Sequence, residues 1–235
     1  MTVSVEYIPV TPIEYPEEDG KPMAEGDLQC SYLTYARNVL RIYFQNRPDV
    51  YVAGNLFIYY EKGYPGSVVA PDVFVVFGVD KHDRGSYKTW EENDQTPGFV
   101  LEITSRSTRS QDQGAKKGIY AFLGVSEYFQ YDPTGDYLSP QLQGLHLVDG
   151  NYLPILQQGV NDHIISLKSE VLGLELRLED GKLRFYNPVT NQILFTHEEE
   201  VTARQVAEIA RQESEAKARK LAAKLRELNI DPDSL

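Results

Sequence analysis

Residues 102–120, EITSRSTRSQDQGAKKGIY, place a carboxylate at the end of an apolar run, follow it with hydroxyl and basic side chains, and close on two adjacent lysines. A strand entering a core should not finish on Glu102 unless a base or a metal ion takes up the charge. Asp72 stands in a comparable place, after Pro71 at the head of APDVFVVFG. If the two strands are neighbours, Asp72 and Glu102 converge. Close carboxylates repel unless a cation intervenes, and hard oxygen ligands with few protein contacts suit Mg²⁺ or Mn²⁺. A lysine nearby would orient or activate an attacking water. The plainer readings are a strand-entry turn for Asp72 and a solvated loop and helix face for the basic cluster.

Other chemistries find no support. His82, His146, His163 and His197 lack ligand-like spacing. Ser126, in Gly-Val-Ser-Glu-Tyr, lacks the second glycine of a nucleophile elbow, and there is no phosphate-cradling glycine loop. Asp132 and Asp136, around Pro, Thr and Gly, read as a turn. Cys30, the only cysteine, has no partner for an internal disulfide or a thiolate zinc site, which fits a reducing cytoplasm.

The formal net charge of -12 argues against a protein that coats nucleic acid by bulk electrostatics. The distribution is uneven: acids dominate residues 1–34, whereas Arg106, Arg109, Lys116 and Lys117 outnumber Glu102 and Asp112 in residues 102–120. No apolar run approaches the roughly 20 residues of a membrane span and no signal segment opens the chain, so a cytoplasmic protein without membrane contact is expected.

The elements that must position these groups follow from periodicity. Residues 1–24, with four prolines among acids, read as an extended N-terminal arm. Asp27 is placed to cap a helix over 28–44, stopped by Arg47-Pro48-Asp49. Strands follow over 50–60 and 68–77, expected to pair antiparallel across the turn at 63–66. A polar stretch with mostly exposed charges leads to a third strand at 99–104. A helix over 110–123 ends at Gly124, and a strand over 127–131 stops at Asp132-Pro133. Beyond Leu142, short apolar runs and turns read as hairpins extending the sheet. The domain spans 25–196, and 197–235 forms a long charged helix. Its seam of Ala207, Ala210, Ser214, Ala218, Leu221, Leu225 and Leu228 fits a short coiled coil, which would make a homodimer, or a docking helix, and equally a solvated helix or one folded back on its own domain.

The APD segment, some thirty residues, and then LEITSRSTRSQDQGAKKGIYAFLGVSEYFQYDP resemble the putative restriction endonuclease family of bacterial proteins within the PD-(D/E)XK phosphodiesterase superfamily. The similarity covers roughly residues 25–155. It implies an α/β fold with a restriction-endonuclease-like core of helix, three strands, helix and strand, the order read above. It also implies Asp72, Glu102 and the Ile103 carbonyl as ligands of Mg²⁺ or Mn²⁺, with Asp72, Glu102 and Lys116 as the catalytic set. The superfamily lysine would stand two residues after the glutamate, where this chain has Thr104; the family pattern supplies it from the next helix, at Lys116. Ser107 also resembles the family loop, in which Arg106 replaces the usual proline. Ser105, Arg106, Thr108, Arg109 and Lys117 are the expected substrate contacts.

The expected activity is metal-dependent hydrolysis of a nucleic-acid phosphodiester, DNA before RNA. The rival is the same fold used as a non-catalytic binding or assembly module. At about 100° per residue, Ala115, Ile119, Phe122 and Leu123 form the face that packs on the sheet. Lys117 then points away, and Lys116 on the flank bends toward Glu102.

Overall fold

The structure, a computed structural model, describes residues 13–17, 26–105, 114–161 and 164–227. Helix α1, Asp27–Tyr43, starts one residue before the predicted helix. Gly26 is its N-cap, donating its N–H to Gln29 Oε1 at 2.9 Å, and Asp27 lies inside the first turn, where a carboxylate favours the helix dipole. The two predicted strands that follow each break in two. Strands β1, Val50–Ala53, and β2, Ile58–Tyr59, are separated by Asn55 at φ 56°, a left-handed conformation no strand continues through. Strands β3, Val68–Val69, and β4, Val73–Phe77, are separated at Pro71, which has no N–H for a ladder. The halves pair antiparallel, β1 with β4 and β2 with β3.

The charges of the polar stretch are mostly exposed, as expected, with Arg84 the clearest exception. Tyr87–Lys88 (β5) joins β2 in parallel, and the Arg84 side chain, 4% exposed, pairs with Glu92 at 2.7 Å. From the N-terminal arm, Tyr15 packs edge-on against Tyr59, and the Pro16 carbonyl accepts the Tyr59 hydroxyl. Strand β6, Phe99–Ile103, helix α2, Ala115–Phe122, and strand β7, Glu127–Tyr131, follow. Gly124 at φ 72° ends α2 as predicted. Strands β8, Leu142–Val148, and β9, Asn151–Pro154, extend the sheet in the order β1-β4-β6-β7-β8-β9. Among the described strands of this sheet, only β6 and β7 pair in parallel, joined through α2.

The later hairpins do not extend that sheet, contrary to expectation. Strands β10, Gln158–Asn161, β11, Ile164–Ser169, β12, Leu174–Glu179, β13, Lys182–Asn187, and β14, Gln192–Ile193, form a sheet of their own. Its alternating apolar residues Leu174, Leu176, Leu183 and Phe185 share one core with Leu33, Ala36 and Leu40 of α1 and with Val73, Leu101 and Phe129 of the first sheet. Their apolar face finds its cover on α1 rather than at an edge of the first sheet. The first sheet's other face, through Phe74, Val100 and Tyr128, packs under Tyr120 of α2.

The chain divides into two compact units after Leu194. The second contains α3, His197–Glu227, whose N-terminus is fixed by Thr196: its N–H reaches Glu199 Oε2 at 2.9 Å and its Oγ accepts the Glu199 N–H at 3.2 Å. Ion pairs such as Arg211 with Glu208 and Glu215 line the helix. Ala207, Ala210, Ser214, Ala218 and Leu221 are exposed, Leu225 is half-buried, and Leu228 lies outside the described residues. Among the described residues no helix is long and apolar enough to cross a membrane.

Candidate active site

Strand register brings the predicted carboxylates together. Val73 stands opposite Leu101 in the antiparallel β4–β6 ladder, so one step further Asp72 stands opposite Glu102. Opposed residues of an antiparallel pair share a face with Cβ atoms about 5 Å apart. On the other side of β6, Glu102 is in register with Gln130 of β7. Alternation puts Asp72, Glu102 and Gln130 on the face beneath α2, while Leu101 and Ile103 point into the α1 core.

Each carboxylate is held. Asp72, half-buried, accepts the Ile103 N–H on Oδ2 at 2.6 Å. Glu102 is fully buried, its Oε2 bound by Lys116 Nζ at 2.9 Å and its Oε1 by the Tyr120 hydroxyl. Burial first, and then the negative charge and hydrogen bond of Glu102, hold the Tyr120 phenol far above its ordinary pKa. The Tyr120 hydroxyl is therefore a hydrogen-bond donor to Glu102 at neutral pH.

The orientation of α2 differs from the expected one. Tyr120 is its fully buried residue, tilted against Tyr128 with ring centroids 5.1 Å apart. Ala115 is exposed, Phe122 is 78% exposed, and Ile119 and Leu123 are half-buried. The buried face is turned toward Tyr120 because that phenol has an acceptor waiting in Glu102. Lys116, one turn earlier on the same face, lies over the sheet rather than on the flank, its side chain 16% exposed. Lys117 is half-buried and makes no hydrogen bond or ion pair among the described residues.

Thr104, in the lysine position of the superfamily pattern, is buried; its N–H is given to the Tyr131 carbonyl at 2.7 Å and its hydroxyl has no partner among the described residues. Ser105 is half-buried at the rim, and Ile103 can reach the site only through its backbone. Arg106, Ser107, Thr108, Arg109 and Asp112 lie outside the described residues.

Two residues of this site escaped the sequence reading. Tyr120 was legible only as a helix neighbour of Lys116. Gln130 gave the same signal as Glu102, one polar residue inside an apolar strand, EYFQY beside FVLEI; it is buried with Nε2 unpartnered among the described residues. Asp132 is the predicted turn residue, its oxygens accepting the N–H groups of Thr134, Tyr137 and Leu138.

No three His, Cys, Asp or Glu side chains among the described residues form a metal-holding group. A cation held here would have the carboxylates of Asp72 and Glu102 and would draw its remaining ligands from backbone and water. That donor set fits Mg²⁺, which keeps several of its waters, and Mn²⁺.

The family described as "Uma2: Putative restriction endonuclease" matches residues 21–179. Among solved structures, a putative nuclease belonging to DUF820 from Anabaena variabilis ATCC 29413 is similar at 12% identity, over 62% of this chain and 80% of that one, with a TM-score of 0.42. No curated protein matches.

Proposed function

Because the chain belongs to the Uma2 family of putative restriction endonucleases, we propose that it is a Mg²⁺- or Mn²⁺-dependent endonuclease acting on nucleic acid, DNA before RNA. The observation that carries this reading is the 2.9 Å contact from Lys116 to Glu102, which brings to the site from a helix the charge that Thr104 lacks. Asp72, Glu102 and the Ile103 carbonyl are the proposed ligands. When bound, the ion acts as a Lewis acid toward the phosphoryl oxygens and acidifies water.

The chain's own groups do the rest. Tyr120, kept protonated by burial, fixes the Glu102 carboxyl, and the Ile103 N–H fixes Asp72, so neither has to reorganise when charge develops. Lys116 hydrogen-bonds the attacking water and offsets the negative charge growing on the phosphorus oxygens. Lys117 and Ser105, with Arg106, Thr108 and Arg109, are the proposed contacts to the nucleic-acid strand.

Calorimetry with Mn²⁺ and nicking of a supercoiled plasmid test the reading together. The wild type binds the ion and nicks the plasmid, and Asp72→Ala loses both. A wild type that does neither would leave the fold as a binding or assembly module. We further propose that α3 pairs two copies of the chain through its Ala207-to-Leu225 seam. Truncation after residue 196 then halves the mass seen by light scattering, and an unchanged mass removes α3 from the assembly.

A further inference from the structure

Strand β1 is the edge of the first sheet, and a cleft in which Arg37, Arg41, Arg84 and Lys81 outnumber the carboxylate of Asp83 runs along it, in a chain whose net charge is -12. Arg37 and Arg41, one turn apart on α1, face it. A cavity of about 120 Å³, lined by both arginines, Tyr51, Gly54 and Asp83, lies beside one of about 350 Å³ that shares Arg41, Tyr51 and Asp83 and includes Lys81.

Most charges there are already engaged. Arg84 pairs with Glu92 at 2.7 Å and Asp80 at 3.1 Å and lies over the Tyr51 ring at 4.3 Å. Lys81 donates to the Phe44 and Gln45 carbonyls at the end of α1. Arg41 gives Nε to the Val52 carbonyl at 3.1 Å, which leaves the far end of its guanidinium for another acceptor. Arg37 Nε is buried and has no acceptor among the described residues. A buried donor on a permanently charged fork is costly until an anion meets it.

The cleft shares a wall with the candidate active site. A Cβ on Gly54 would lie 3.5 Å from Arg37 Cδ and 2.5 Å from the Asp72 carbonyl oxygen. At about 4.8 Å per strand, Glu102 is two strands, or roughly 10 Å, from β1. Phosphates recur about every 3.4 Å of axis along each strand of a duplex, so a substrate at Glu102 passes Arg37 within a few nucleotides. We propose that Arg37 and Arg41 form a phosphate subsite for the nucleic-acid backbone flanking the scissile bond. This rests on the nuclease reading for its ligand, but not on the metal for its binding. If the arginines only shield the β1 edge from pairing, removing them leaves nucleic-acid binding unchanged.

The test is fluorescence anisotropy in EDTA with labelled oligodeoxynucleotides about 12 residues long, single-stranded and duplex, at several salt concentrations. Arg37→Gln with Arg41→Gln should weaken binding about tenfold or more and reduce the slope of log K against log salt by about 1.5–2. Arg37→Lys with Arg41→Lys should keep the slope and lose part of the affinity, because the fork but not the charge is gone. Lys168→Gln with Lys182→Gln, an equal charge change elsewhere, serves as the reference. Mn²⁺ binding and the melting temperature of each variant separate a local effect from failure to fold. Equal losses in the arginine and reference pairs, or binding unaffected by either, overturn the subsite. So does a wild type that binds neither oligonucleotide. A wild type that binds in EDTA but never cleaves keeps the subsite and overturns the nuclease.

Discussion

Two glutamates are buried in the same sheet, on adjacent parallel strands, and they are held in opposite ways. Glu102 is the penultimate residue of β6, on the α2 face, tied by an ammonium and a phenol. Glu127 begins β7 on the α1 face, tied by the Ser169 hydroxyl and the N–H groups of Glu170 and Val171 in the turn of the second sheet. Burial pushes the Glu127 pKa up, and the hydrogen bonds from Ser169, Val171 and Glu170 only partly offset it, with the negative charge of Glu170 adding to the rise. A carboxylate fastened by neutral backbone donors is a structural tie between two sheets. One balanced by a lysine is, under the proposed function, the carboxylate that would exchange that partner for a metal or a water. Burial alone is therefore common to both carboxylates; what differs is the charge of the donors that hold them.

The largest expected effect breaks the Glu102 side of this comparison. Lys116→Ala should lower plasmid cleavage with Mn²⁺ by about 10³-fold while sparing Mn²⁺ binding by calorimetry, and Lys117→Ala should at most weaken affinity. Equal activity of Lys116→Ala and the wild type would remove the catalytic assignment. On the Glu127 side, Glu127→Ala should cost about 2–4 kcal/mol in urea unfolding, since the Glu170 and Val171 N–H groups lose their acceptor, with turnover per folded molecule unchanged. A catalytic defect in folded Glu127→Ala would erase the distinction between the two sites.

The smallest effect is in pH dependence. The folded state raises the Glu127 pKa, so its stabilising contribution is complete below the ordinary glutamate range and is lost as pH rises toward the folded value. Glu127→Gln keeps an acceptor for the two N–H groups and an amide for Ser169. It should flatten the stability profile above about pH 4.5, gaining on the wild type as pH rises. Asp132 has the opposite sign. Burial would raise its pKa, but the Tyr137 N–H, the Thr134 hydroxyl and the other donors around it outweigh burial and lower it, so its contribution is lost as pH falls. A Glu127→Gln profile parallel to the wild type would show that the buried glutamate does not titrate in the fold.

The order of helix, strands, helix and strand was legible in the sequence, and so were the two carboxylates that the β4–β6 ladder sets opposite each other and the lysine that contacts one of them. Local chemistry specifies these: VFVVF, FVLEI and EYFQY admit a buried strand, Gly124 ends α2, and one charge inside an apolar run is conspicuous wherever it folds. Helical spacing and the family resemblance together pointed to Lys116 over Lys117, but they placed Lys116 on the flank of a face that the structure centres on Tyr120 instead. What the sequence left open depended on partners distant in the chain. The break at Asn55 follows from a left-handed turn, and the rotation of α2 follows from Tyr120 finding Glu102, 18 residues earlier. The second sheet separated from the first because its alternating leucines met α1, more than a hundred residues upstream. Periodicity states which residues share a face. Only tertiary structure states which face meets which, because burial free energy depends on the partner surface and not on the pattern alone.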